Sequence, residues 1–285
     1  MVRSGCGLKP LQVRDTAFAW GTRTYVMGIV NVTSDSFSGD GIADPDAASA
    51  YAVAQWRAGS DILDFGGQST RPGHEPVDAA IERARVVPAI AAARTALPDA
   101  PISIDTFDAS VLRASHEAGA DIVNCVWGAP AEILEAAAEL DMPLIVMHNQ
   151  QGTHYDGSVV YAVLSYLEKC ANRAVRSGFA RERVVLDPGI GFGKTAEHNL
   201  EVLAALPRLV ALGFPTLIGA SRKSTIGKLT GREPQDRVFG TVAICALAIG
   251  AGIDVVRVHD VAAARDAVSV SDAIVRKWRP PEWTA

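Results

Sequence analysis

The chain has 285 residues, 48% of them hydrophobic and 21% charged, with a formal net charge of −5. That apolar fraction and small net charge exclude a disordered or fibrous protein, and without a basic block nucleic acid is not an expected partner. Aromatic residues make up only 6%, so the apolar content is aliphatic, which suits buried parallel strands under Ala-rich helices better than a β-sandwich.

Residues 1–22 are expected to form a short N-terminal extension or hairpin. From there one unit recurs: a short apolar run, a loop, then an Ala-rich amphipathic segment. The runs lie at 24–30, 61–65, 102–104, 122–123, 144–147, 184–186, 216–218 and 255–258, each too short and too β-branched to be a helix. Helices are expected at 45–58, 77–96, 109–118, 131–140, 159–177, 197–212, 235–249 and 262–277. Gly59, Gly119, Gly178 and Gly213 follow four of them, where a helix end takes a residue tolerant of positive φ. Eight successive β-α pairs predict a single (β/α)8 TIM barrel over 23–279, with a tail at 280–285. A doubly wound open sheet is the rival, but no linker or composition shift marks the second domain it would need.

No signal peptide is visible near the N-terminus. The most apolar region, 241–258, is interrupted by Gly250, Gly252 and Asp254, and reads as a buried helix and strand instead of a membrane span. Cys6, Cys125, Cys170 and Cys245 lie far apart with no CxxC pair, which argues against a disulfide framework or a zinc site. A cytoplasmic protein with no membrane partner is expected.

Ligands of such a barrel bind at the C-terminal ends of the strands, and nearly every predicted strand here ends in polar residues. Asn31 follows the first and Gln68-Ser69-Thr70-Arg71 the second; Asp105, Asn124 and His148-Asn149 follow the next three. The sixth leads into DPGIGFGK (187–194) and the seventh into SRKS (221–224). The eighth contains Arg257 and leads to His259. Taken singly, Asp105, Asn124 or Asp187 can be a cap or turn former; eight polar loops on one rim are hard to explain that way. Asp105, Asn124 and Asp187 suit a flat heterocycle bearing amino and lactam groups. Arg71, Lys223, Arg257 and His259, with Ser221 and Thr70, suit an anion. Together they point to a phosphorylated heterocycle.

Residues 27–38 (MGIVNVTSDSFS) resemble the first signature of the dihydropteroate synthases, and 66–73 (GGQSTRPG) the second. SIDT (103–106), DPGIGFGK (187–194), SRKS (221–224) and RVHD (257–260) are similar to the remaining family blocks, in the family's order. The resemblance runs from about Tyr25 to Ile274 and implies a (β/α)8 barrel of folate biosynthesis. The implied reaction condenses 6-hydroxymethyl-7,8-dihydropterin pyrophosphate with para-aminobenzoate to give 7,8-dihydropteroate and pyrophosphate, assisted by Mg²⁺, through a carbocation-like pterin.

Carried over position by position, Asp105, Asn124, Asp187 and Lys223 would hold the pterin, with Met147 also lining the substrate site. Asp105, Asp187 and Lys223 would act catalytically. Asn31, Arg257 and His259 would bind the pyrophosphate, with Asn31 beside the Mg²⁺. Phe37, Thr70, Arg71, Pro72 and Ser224 would shape the para-aminobenzoate pocket. A homodimer is implied as well.

Three positions depart from the family pattern. The first loop acid stands one place late, at Asp40 after Gly39; Gln68 replaces the usual Glu; and Cys125 follows Asn124 where Asp is common. These bear on affinity for para-aminobenzoate and for the sulfonamides that compete with it, so a sulfonamide-insensitive member is one reading. A non-catalytic pterin-binding paralogue and a pterin-dependent methyltransferase barrel are the alternatives.

Overall fold

Short aliphatic strands bury both faces only if helices cover one and the sheet closes on the other. The computed structural model describes residues 7–33, 41–42, 44–68, 77–280 and 283. An antiparallel hairpin, β1 (Leu11–Val13) and β2 (Thr16–Phe18), comes first. Eight parallel strands follow: β3 (Tyr25–Asn31), β4 (Ile62–Gly66), β5 (Ile102–Asp105), β6 (Ile122–Cys125), β7 (Leu144–Met147), β8 (Val184–Asp187), β9 (Leu217–Ile218) and β10 (Val255–Val258). Each pairs with the next in sequence, and β10 returns to β3. The last seam is a single parallel bridge between Leu186 and Thr216, where Leu186 N–H donates to the Pro215 carbonyl at 2.9 Å, closing the expected barrel.

The helices are α1 (Pro45–Arg57), α2 (Ala79–Ala96), α3 (Ala109–Glu117), α4 (Ala131–Glu139), α5 (Val159–Arg176), α6 (Ala196–Ala204), α7 (Leu206–Val210), α8 (Ser224–Thr230), α9 (Val238–Ala251) and α10 (Val261–Val275). Asp44, Asp78, Asp108 and Ser158 cap α1, α2, α3 and α5 by accepting from backbone N–H groups of the first turn. The helix expected at 197–212 is two, because Pro207 starts a new turn at α7 instead of continuing the old one. The seven-residue α8 went unseen, being too short for its periodicity to show.

Two apolar regions follow from the period-two alternation of the strands. Outward residues such as Val26, Leu63, Ile104, Val123, Val146, Leu186 and Val256 meet the helices in the main core. Inward residues Met27, Ile62, Ile122, Ile145, Val185, Leu217 and Val255 join Leu11, Val13, Phe18, Trp20 and Tyr25 in a second cluster, so the hairpin plugs the N-terminal end. Moving two residues along each strand reaches the next inward layer, and there Ile62, Ile122, Val185 and Val255 give way to Asp64, Asn124, Asp187 and Arg257. The barrel is thus apolar below and polar above. Among the described residues no helix is long and apolar enough to cross a membrane.

Candidate active site

The upper layer assembles residues from five strands and one loop. Arg257 on β10 donates through Nε to Asp64 Oδ2 at 2.6 Å and through Nη2 to Asp105 Oδ2 at 3.2 Å. Asn124 Nδ2 donates to the same Asp64 oxygen at 3.2 Å. Asp64 Oδ1 and Asp105 Oδ1 are buried with no hydrogen-bond partner. Unmet acceptors in a dry site are costly, and here two of them belong to carboxylates. Asp187 at the end of β8 accepts the Gly189 N–H at 2.8 Å through Oδ1. Lys223, just before α8, gives its ammonium to the Ile190 carbonyl and sits 4.3 Å over the Phe192 ring. The loop passes so close to Lys223 that a Cβ on Gly191, at φ +83°, would lie 2.8 Å from Lys223 Cδ.

Burial shifts these groups in the directions a dry cluster demands. It raises Asp105, with Asp64, Glu82 and Asp187 adding to the rise and Arg257 opposing it. It raises Asp187 against the pull of Lys223. Lys223 is pushed down to about 7 by burial, with Asp187 working the other way. Burial alone would lower Arg257, but Asp64 and Asp105 more than reverse that and hold it above its ordinary value.

At the rim, the Ser221 hydroxyl accepts the His259 backbone N–H at 3.2 Å and stands 2.9 Å from His259 Nδ1. The Ser221 hydroxyl thus ties the backbone and the ring of His259 together at the rim. Arg222 pairs with Asp260 through both Nε (3.0 Å) and Nη2 (2.5 Å), so its charge is committed beside the rim. Asn31 closes β3 next to Gly66, its Oδ1 3.9 Å from where a Cβ on that glycine would stand. Ser224 opens α8 and is exposed.

Of the residues expected from the sequence, the structure brings Asp105, Asn124, Asp187, Lys223 and Arg257 together inside the mouth. Met147 is buried one strand away, against the Gly189 turn. Asn31, His259 and Ser224 stand on the rim. Phe37, Thr70, Arg71 and Pro72 lie outside the described residues, as do Gly39 and Asp40. Cys125 is fully buried among the core residues behind the barrel and faces away from the mouth. Gln68 donates to Glu82 Oε2 at 2.8 Å, so it is tied to α2.

Sequence reasoning missed the role of four residues. Asp64 carried a readable signal, an acid in the middle of the apolar run ILDFG and in phase with Ile62. Lys194 and His148 read in the sequence only as parts of polar strand ends; they stand 2.9 Å apart and buried. Glu82 gave no signal, since an acid in the first turn of a helix is ordinary.

A parallel barrel with an Asp-Asn-Asp-Lys-Arg mouth belongs to the class of pterin-binding barrel enzymes, and the pterin binding enzyme family model matches residues 27–259. A dihydropteroate synthase of Synechocystis sp. is 46% identical over 281 residues, covering 95% of this chain and 96% of that protein. The dihydropteroate synthase of Clostridium beijerinckii is 42% identical and covers 94% of this chain and 100% of that one. Among solved structures, that of Clostridium difficile dihydropteroate synthase in the presence of pteroic acid superposes with a TM-score of 0.85 at 44% identity, covering 91% of this chain and 99% of that chain. The chain belongs to the dihydropteroate synthase family, and is an enzyme, a transferase of folate biosynthesis.

Proposed function

We propose that the protein joins the methylene carbon of 6-hydroxymethyl-7,8-dihydropterin pyrophosphate to the amine of para-aminobenzoate, releasing pyrophosphate and 7,8-dihydropteroate. The observation that carries this is the pair of buried, unpartnered carboxylate oxygens on Asp64 and Asp105, beside Asn124 and Asp187. Such a floor calls for a flat ligand rich in N–H groups, and the 2-amino-4-oxo edge of a pterin is one. Xanthomonas albilineans dihydropteroate synthase has been solved with 4-aminobenzoic acid and with 7,8-dihydropteroate, at 40% and 42% identity to this chain. The family match supports a reading of 1–22 as an extension, 23–279 as the pterin-binding barrel and 280–285 as a tail.

In this reading the C–O bond to pyrophosphate breaks with its electron pair leaving on oxygen, and the positive charge left on the methylene spreads into the pterin ring. Asp105 and Asp187 stabilise that charge as carboxylates facing the ring. Lys223 and Asn124 fix the ring. Arg257, whose Nη1 takes part in neither carboxylate bond, and His259 at the rim receive the leaving pyrophosphate. The arylamine lone pair then forms the C–N bond, and the ammonium proton passes to solvent or pyrophosphate.

Among the described residues no three His, Cys, Asp or Glu side chains gather as a metal site. Asn31 offers a single amide oxygen, which fits a Mg²⁺ that arrives on the pyrophosphate and keeps its waters. When bound, the ion would offset charge on the leaving group. We place the enzyme in the cytoplasm.

We also read it as a homodimer. α9 and α10 pack side by side and expose Phe239, Leu247, Val270 and Ile274, each at least 62% accessible, a face that a second copy would cover. Light scattering should report twice the chain mass, reduced to the chain mass by Leu247→Glu with Ile274→Glu; a monomeric parent ends that reading.

The deciding experiment is turnover of the two substrates by the purified protein with Mg²⁺. Dihydropteroate formation supports the proposal. Tight binding of the pterin pyrophosphate without turnover supports the non-catalytic alternative. A sulfonamide added to the same assay reads the aminobenzoate pocket: inhibition as strong as in relatives with Glu at position 68 would show that the departures leave it intact.

A further inference from the structure

We infer that Lys194 and His148 form a buried positioning pair that holds the 187–194 loop in the shape that presents Asp187 and Lys223 to the pterin. The inference rests on the pterin reading above. An ammonium has three N–H donors, and Lys194 has three acceptors around it: the carbonyls of Gly189 and Phe192, each at 3.0 Å, and His148 Nδ1 at 2.9 Å. Both side chains are buried. Burial and the Lys194 charge lower the His148 pKa to about 3, while burial lowers that of Lys194 to about 7 against the pull of Asp187; when Lys194 is protonated, a neutral His148 meets it with Nδ1 as the acceptor. The imidazole is itself fixed, edge-on to Tyr166 at 5.0 Å and roughly parallel to Tyr155 at 6.2 Å. Tyr155 in turn donates to the Gly193 carbonyl at 2.8 Å.

The contacts of the loop divide cleanly. Gly189 takes Lys194 on its carbonyl and gives its N–H to Asp187. Phe192 takes Lys194 on its carbonyl and lays its ring under the Lys223 ammonium. Between them, the Ile190 carbonyl receives Lys223. The same two residues that Lys194 grips therefore set the place of a pterin-facing carboxylate and a pterin-facing ammonium. Packing alone would be served by an apolar side chain, whereas a buried ammonium is costly unless its hydrogen bonds are used. The loop passes close against the end of β7: a Cβ on Gly189, at φ +68°, would lie 2.0 Å from the His148 carbonyl oxygen.

Lys194→Met keeps most of the volume and removes all three donors. We expect the KM for the pterin pyrophosphate and the dissociation constant of 6-hydroxymethylpterin to rise about tenfold or more, with the KM for para-aminobenzoate within about twofold of the parent. His148→Leu, which removes the acceptor and leaves Lys194 in place, should reproduce much of that loss. His148→Asn, whose amide oxygen stands where Nδ1 stood, should recover most of it, and Lys194→Met with His148→Leu should be no worse than the first variant alone.

Equal losses toward both substrates, or an unchanged pterin constant in a merely less stable protein, would overturn the inference. Should Lys194→Met fail to fold, the contrast between His148→Leu and His148→Asn still decides: no difference between them sinks the pair. A parent protein that turns over neither substrate refutes the functional reading instead, and is seen before any variant is made.

Discussion

The two ends of the barrel both hold aspartates, and they treat them differently. At the N-terminal end, Asp61, Asp121 and Asp254 each stand one residue before a strand (β4, β6 and β10) and reach sideways to the backbone N–H of a neighbouring strand. Asp61 accepts from Val26, Asp121 from Ile102 and Asp254 from Thr216, at 2.8 to 2.9 Å. Their other oxygens are taken as well: Arg23 donates to Asp61 at 2.9 Å, Arg14 to Asp121 at 2.7 Å, and Gly21 N–H to Asp254 at 3.0 Å. At the C-terminal end, Asp64 and Asp105 each keep a buried oxygen with no partner. At one end both oxygens of each aspartate are paired and fix strand register; at the other, carboxylate oxygens lack a protein partner and face the ligand mouth. In a parallel barrel that asymmetry separates the stabilising face from the reactive one.

The sharpest way to break this comparison is to mutate one acid at each end. Asp105→Asn should lower kcat/KM by about 10²–10³, as removal of a charge aimed at a developing cation does, while leaving the urea midpoint unchanged or raised, because a buried like charge is gone. Asp254→Ala should do the reverse. It strands the N–H groups of Gly21 and Thr216 and the Thr216 hydroxyl, and should cost about 3 kcal/mol in urea unfolding with kcat/KM of the folded protein near the parent value. Two variants that both lose stability and keep activity would erase the distinction between the ends.

That distinction was only half legible in the sequence. The barrel was readable because eight β-branched runs alternate with Ala-rich segments, and the mouth because polar residues follow each run; Asp105, Asn124, Asp187, Lys223 and Arg257 do converge there. The floor was not, because Asp61, Asp121 and Asp254 look like any acid before a strand, and the N–H groups they accept from lie on other strands. Arg257 read as a cation waiting for an anion, yet two carboxylates from β4 and β5 already flank it, a pairing across 193 and 152 residues of sequence that no local pattern reveals. The same limit hid Lys194, whose partner His148 is 46 residues away. Local spacing finds strand ends and caps; which strand end meets which is decided by closure.

Glu82 tests where the boundary between the two kinds of acid falls, with the smallest expected effect. It lies in the first turn of α2, buried, with Gln68 donating to Oε2 and Oε1 unpartnered. Burial pushes its pKa up to about 7, Asp108 adding to the rise while Thr106 and Arg85 oppose it. A carboxyl whose pKa rises from about 4.5 unfolded to about 7 folded adds stability that is complete below pH 4.5 and is lost as pH climbs through 7, since the unfolded chain ionises first. Glu82→Gln keeps an amide oxygen for Gln68 and removes the ionisation. It should match the parent in urea unfolding at pH 4.5 and exceed it by about 1–3 kcal/mol at pH 8. That outcome groups Glu82 with Asp105 and Asp187, whose pKa burial also raises. A loss of stability at both pH values would instead make it a staple of the kind found at the floor, anchoring the start of α2 to the end of β4 through Gln68.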